Sequence, residues 1–260
     1  MTEAAGAIVL PPIGRAPDAE AELDRLAARY RAAAGPGLKL LNALGTSAEG
    51  LLNRLPSAMR SGLDGAAERA LHLSLRAAQR SRRVAGDPAP WVNTAITSAL
   101  GAAGGFAGLS GALVELPATT TMLMRAIQGA AARQGFDPAA ESVRFDCLRV
   151  FAAAGPLSED DGSDLSFLSL RLTLTGPALQ RMIATVAPRL ATSLGQKLAA
   201  QAVPVLGAVA GAGINYTYTR YYQEMAQVQF GLRRLAIEAD RPQAELVAGL
   251  AARLERGLRG

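Results

Sequence analysis

The 260 residues contain one cysteine, Cys147, and one histidine, His72. A single thiol excludes an internal disulfide framework and a multi-cysteine metal site. One histidine without a neighbouring cysteine gives no basis for a zinc site or a serine–histidine triad. Aromatic residues are 5 % of the chain, and β-branched residues are thin, which removes the usual material of sheets. No lysine lies between Lys39 and Lys197. The glycine-rich stretch between them is therefore not a P-loop, which needs Gly-Lys-Ser/Thr to supply charge and a magnesium ligand. Residues 1–17 lack a basic region followed by an adequate apolar run, so no signal peptide is expected there.

What remains is Ala, Leu, Arg, Glu and Gln, all helix formers. The expected fold is all-α: one compact helical domain over residues 18–260, preceded by a loosely held tail over 1–17. Charge is unevenly spread. Residues 1–90 carry 12 basic and 9 acidic groups, residues 91–175 carry 5 and 8, and residues 176–260 carry 10 and 5. A net charge of +5 with basic ends points to an anionic partner or to solvated arginine-rich helix faces.

Asp18 can cap a helix with Leu23, Leu26 and Tyr30 on one face, ending at Gly35-Pro36. Thr46 and Glu49 have capping-box spacing, and Pro56 precedes a long helix to about Arg83. Gly86–Trp91 (GDPAPW) is a loop. Pro117 restarts a helix that runs to Gly135, and Phe136-Asp137-Pro138 caps the next one, which passes through Cys147 and ends near Gly155-Pro156. Ser158–Asp164 (SEDDGSD) lacks the later glutamate of a calcium loop and reads as solvated. Leu168–Thr175 alternates like a strand but has no partner strand nearby, so helix is expected. Pro177, Pro188 and Pro204 punctuate the last third. A long helix from Pro204 to about Ala239 and a basic one from Pro242 to Leu258 complete the chain.

Two stretches stand out. Trp91–Val114 and Leu198–Thr219 carry no charge, and each is long enough to span a bilayer. The large apolar residues of the first supply only about −2 to −4 kcal/mol of insertion, and its serines, threonines and glycines oppose it. Close packing is the better reading. Glycine costs about 1 kcal/mol relative to alanine inside a helix, unless a neighbour approaches where no Cβ intervenes. Gly101/Gly105, Gly104/Gly108 and Gly207/Gly211 have the four-residue spacing that gives a smooth face. Gly207–Gly213 (GAVAGAG) is the natural partner of Gly101–Gly108 (GAAGGFAG), so two closely packed Gly/Ala-rich helical segments are expected.

Those segments and their flanks resemble the EcsC family. The resemblance rests on Gly101–Pro138, with its glycine run, an acid before Leu-Pro, a threonine cluster and Gly-Phe-Asp-Pro. It rests also on Lys197–Ala236, with Pro-x-x-Gly-Ala, Asn215, a tyrosine-rich helix and Phe-x-x-Arg-Arg-Leu, and more weakly on Gly37–Pro56. It covers about residue 20 to about residue 240. Glu115 stands where the family pattern favours aspartate. The resemblance implies a helical bacterial protein linked to transport or secretion, cytoplasmic and peripheral on the inner face of the cell membrane. It supplies no catalytic residues.

The candidate polar-core or ligand residues are Glu115, Arg125, Asn215 and Arg220. Glu115 is either a carboxylate at a helix start ahead of Pro117, stabilised by the helix dipole, or a buried one that binds a ligand or pairs with Arg125 or Arg220. Asn215, if buried, needs a partner, either a backbone group opened by the glycines or a ligand. Tyr218, Tyr221 and Tyr222 share a helix face and read as core packing rather than an interfacial anchor. Arg220 and Glu224 are spaced for a surface pair. Candidate membrane-surface residues are Arg80, Arg82, Arg83, Arg253, Arg256 and Arg259. No catalytic, cofactor-binding or metal-binding residue is assigned. The expected function is a non-enzymatic protein touching an anionic membrane surface or lipid. The alternative is a soluble binder of a hydrophobic small molecule between the glycine-rich helices. Nucleic acid is not favoured, because the arginine cluster has no interleaved aromatics.

Overall fold

The structure is a computed structural model that describes residues 18–44, 50, 53, 55–106, 108–153, 165–169, 178–201 and 207–258. Every regular element among the described residues is a helix: α1 (Ala19–Leu44), α2 (Ser57–Ala85), α3 (Pro90–Phe106), α4 (Gly108–Arg133), α5 (Glu141–Val150), the single turn α6 (Ser166–Ser169), α7 (Ala178–Gln201), α8 (Gly207–Glu238) and α9 (Gln243–Leu258). The all-α expectation holds. The tail 1–17, the Thr46/Glu49 capping box, the acidic loop 158–164 and most of Leu168–Thr175 lie outside the described residues.

Local signals explain most boundaries. The Asp18 carboxylate accepts from the backbone N–H groups of Glu20 and Ala21 at 3.1 and 3.2 Å, satisfying two donors at the start of α1. At the end of α4, Gly135 takes φ +84°. Phe136 N–H then reaches back to the Ala131 carbonyl and Gly135 N–H to that of Ala132, closing the helix around a residue that needs no Cβ. Four expectations are corrected. Helix α1 runs through Gly35-Pro36, and Pro188 lies inside α7 rather than between helices. Asp137 caps a turn by accepting from Ala139 N–H, and α5 begins only at Glu141. Pro117 lies inside α4, which starts at Gly108, so Glu115 is not at a helix start. Proline inside a helix removes one backbone bond, which tertiary packing has to offset.

Helix α8 is the axis of the fold, touching α1, α3, α4, α5, α7 and α9. One apolar cluster runs from Leu23 of α1 to Leu254 of α9. Tyr218, Tyr222 and Phe230 of α8 are fully buried, which bears out the core reading of the tyrosines. Helix α5 is stapled to α8 through Asp146. Its buried carboxylate accepts from Arg149 at 3.0 Å, from Gln229 at 3.1 Å and from Arg233. Burial pushes the Asp146 pKa up against the opposing pull of the two arginines.

The most extensive helix contact is between α3 and α8, which run antiparallel. It is a backbone contact. A methyl group on Gly211 would sit 1.9 Å from the Gly101 carbonyl oxygen and 3.3 Å from the Gly105 Cα. A methyl on Gly101 would sit 2.1 Å from the Gly211 carbonyl oxygen. The expected small-residue packing is therefore present, with Gly101 and Gly105 both meeting Gly211.

Gly211→Ala is expected to lower stability by about 3 kcal/mol or more, since no side chain can move aside. Gly213→Ala, two residues along the same helix, meets nothing within 4 Å and is expected to be neutral or stabilising by up to about 1 kcal/mol. Thermal melts of the two variants check this, and similar melting points would refute the backbone contact.

Candidate functional site

Just beyond the Gly101–Gly211 crossing, four helices converge on Glu115. The third glycine of the seam, Gly104 of α3, makes the room: a methyl there would sit 2.1 Å from Glu115 Oε2. Glu115 Oε1 lies 3.0 Å from Lys197 Nζ of α7, and the side chains are 5 % and 1 % exposed. Asn215 Nδ2 of α8 donates to Glu115 Oε1 at 2.6 Å and to the Thr97 backbone carbonyl of α3 at 2.7 Å. Thr119, one turn along α4, donates its hydroxyl to the same Oε1. Away from the glycines the α3–α8 seam continues as a polar ladder. The Thr97 and Thr219 hydroxyls meet at 2.7 Å, Thr219 also donates to the Asn215 carbonyl at 2.8 Å, and Gln223 Nε2 donates to the Pro90 carbonyl at 3.0 Å.

Burial by itself would raise the Glu115 pKa. The Lys197 charge and the hydrogen bonds from Thr119, Asn215 and Lys197 outweigh it and hold the carboxyl below its ordinary value. Burial lowers the Lys197 pKa and Glu115 opposes that shift. The two groups form a buried ion pair, which is costly to desolvate and tolerable only with good geometry and further hydrogen bonds. A carboxylate so fully engaged is suited to joining helices rather than to passing protons to a substrate.

Sequence reasoning paired the wrong partners. Glu115 and Asn215 do come together, and Asn215 does bond a backbone carbonyl beside the glycines. Arg125, 4 % exposed, lies elsewhere: its guanidinium donates to the Ser81 hydroxyl and the Gly86 carbonyl, fastening the end of α2 to α4. Arg220 is on the surface, 3.8 Å from Glu224. Lys197, Thr119 and Thr97 were missed. A signal for Lys197 existed, since 25 of the 27 basic residues are arginine and Lys197 adjoins an uncharged stretch.

Two of the expected surface arginines are less free than their spacing suggested. Arg82 is doubly bonded to Asp87. Arg253 binds Glu20 and Asp24 at 2.5 and 2.7 Å, tying α9 to α1. Arg80, Arg83 and Arg256 are exposed, while Arg259 lies outside the described residues. Cys147 is fully buried and its thiol pKa is pushed up by burial. His72 is half-buried. No group of three His, Cys, Asp or Glu among the described residues could hold a metal ion.

The model of the EcsC protein family matches residues 91–235, more than half of the chain. The chain belongs to the EcsC family. Every residue of the Glu115 cluster falls within the matched segment, and so do the glycine-rich stretches of both seam helices of this EcsC protein. The resembling stretch Gly37–Pro56 lies outside it. No curated protein and no solved structure matches the chain.

Glu115→Gln and Lys197→Met are each expected to cost about 3–5 kcal/mol, because each strands the other group. The double variant should cost clearly less than the sum of the two singles. Denaturant melts of all four proteins check this, and additive losses would dismiss the pair. The sign with pH follows from the lowered Glu115 pKa. Its contribution is complete above the ordinary value of 4.5 and is lost as pH falls through the lower folded value. Glu115→Gln is expected to flatten this acid loss, and since Asp146 is common to both proteins, their difference isolates Glu115.

Proposed function

We propose that this EcsC protein is a non-enzymatic, lipid-contacting protein that works at a membrane surface through the glycine-rich end of the α3–α8 pair. The observation that carries this reading is the exposure of Phe106 and Val209, at 85 % and 83 %. In the antiparallel pair these residues fall at the same end. Pro90, Trp91, Ala95, Ile96, Ala99, Ala103 and Phe106 are the exposed positions of α3, and none is polar or charged. Exposed apolar residues grouped along one uncharged helix face mark an interaction surface.

The attachment is shallow. No helix among the described residues is long and apolar enough to cross a membrane. Full burial of Phe106 and Val209 is worth about 1.5–3 kcal/mol each, enough for reversible association. The net charge of +5 adds a salt-sensitive attraction to anionic lipid. A hydrophobic ligand between the glycine-rich helices is disfavoured, because the backbones already touch at Gly101 and Gly211.

The test is flotation with vesicles of phosphatidylcholine containing anionic phosphatidylglycerol, at low and high salt. The expected result is flotation that weakens with salt and falls by about 100-fold in Phe106→Asp/Val209→Asp, equivalent to losing both apolar contacts. Undiminished flotation of that variant would remove the α3–α8 end from the contact. Absence of flotation with every vesicle would remove the membrane reading.

A further inference from the structure

The side of α8 that carries Val209 and Tyr216 continues through Arg220, Glu224 and Gln227, by helical spacing of three, four and seven residues. There it meets α1, and the two helices enclose a cleft of about 480 Å³ lined by Arg25, Arg29, Arg220, Glu224, Gln134 and Gln227. A second hollow of about 340 Å³ adjoins it, sharing Glu22 and Gln134. At the centre is the Glu224 carboxylate, mostly buried. Arg29 of α1 donates to it at 2.5 Å, and Arg220 lies 3.8 Å away. Arg133 of α4 is within electrostatic reach of both Glu224 and Asp87, and Asp87 is already bound by Arg82. Among the residues that line the cleft three guanidiniums (Arg25, Arg29, Arg220) face two carboxylates (Glu22, Glu224), which leaves one positive charge uncompensated. Arg25 is balanced by Glu22 at 2.7 Å.

We propose that this cleft binds a phosphate group, held by Arg29 and Arg220, with Glu224 keeping the two guanidiniums in place when the site is empty. Arginine forks match the oxygens of a phosphate in a way that lysine does not. A bound phosphate supplies the negative charge that a second carboxylate would otherwise bring to these guanidiniums. Gln134 donates to Gln227 Oε1 at 2.8 Å, so the wall of the cleft beside the arginines is fixed by a neutral bond. The same chemistry serves a free phosphate ester or a phosphorylated lipid headgroup. Arg220 is 11 residues from Val209, about 16 Å along the helix. With α8 lying along the bilayer surface, Val209 and Arg220, on the same side of the helix, would meet the outer acyl region and the headgroups together. Phosphate binding itself is independent of the membrane reading, and only the headgroup source rests on it.

The experiment is calorimetric titration with inorganic phosphate at low ionic strength, paired with flotation on phosphatidylcholine vesicles with and without phosphatidic acid. The wild-type chain is expected to bind phosphate saturably. Arg29→Gln/Arg220→Gln is expected to weaken binding by about tenfold or more, as for loss of two charge-assisted bonds. Glu224→Gln removes the internal competitor and is expected to strengthen it. The control Arg60→Gln/Arg76→Gln has the same change in net charge on α2 and should bind as wild type does. If the double variant fails to fold, the exposed Arg220→Gln alone makes the comparison. Absence of saturable binding, equal loss in the control, or weaker binding in Glu224→Gln would overturn the proposal and leave a solvated ion-pair network. Phosphatidic acid enhancing flotation through Arg29 and Arg220 assigns the headgroup. Phosphate binding without such enhancement assigns a soluble ester. Phosphate binding with no flotation on any vesicle would refute the membrane reading while leaving this one standing.

Discussion

The arrangement depends on the missing Cβ atoms of Gly101 and Gly211. With side chains there, α3 and α8 would stand apart by roughly the 8–10 Å of ordinary helix packing or more. The backbone-to-backbone approach, in which either methyl would fall about 2 Å from the opposing carbonyl, sets everything beyond it. It brings the Thr97 carbonyl within reach of Asn215 and lets the Thr97 and Thr219 hydroxyls meet. Glycine's helix cost is offset here by contact along a whole helix pair rather than by any one bond.

The same approach explains how a carboxylate and an ammonium can be kept in the core. Glu115 needs space, which Gly104 provides, and it needs donors, which Thr119, Asn215 and Lys197 provide. The lysine matters as a type. A single Nζ on a flexible stem can reach one carboxylate oxygen in a narrow gap. A guanidinium would bring further N–H groups that each need a partner. In a chain so rich in arginine, the lysine marks a place where a fork does not fit.

Much of the fold was legible. The period of Leu23, Leu26 and Tyr30, the Asp18 cap and the glycine spacing of both seam helices all reflect interactions within a few residues, and these determine local form. Proline was misread at Pro36, Pro117 and Pro188, because tertiary contact overrides its helix-breaking tendency and the sequence does not display tertiary contact. The site was half legible for the same reason. Glu115 and Asn215 announce themselves as polar residues in apolar surroundings. Lys197, the partner of Glu115, is 82 residues away; its type sets it apart among the arginines, but nothing local to Glu115 says which cation it meets. Family membership, carried by the same glycine-rich segments, was recognisable because those segments are where backbone geometry restricts residue choice most.

The seam also has a consequence for the order of events in synthesis. Gly101 and Gly211 are 110 residues apart in the chain, so helix α3 leaves the ribosome well before the helix it must touch. At about 5–20 residues per second, the interval is on the order of 5–20 s, far longer than a helix needs to form. Through that interval the glycine-rich segment, beside Ile96 and Phe106, lacks the partner that offsets its helix cost, and Glu115 waits for a lysine not yet made. The nascent chain therefore displays more of its uncharged sequence than the finished protein does. Whatever first meets that surface, whether chaperone or bilayer, does so before the seam exists to compete.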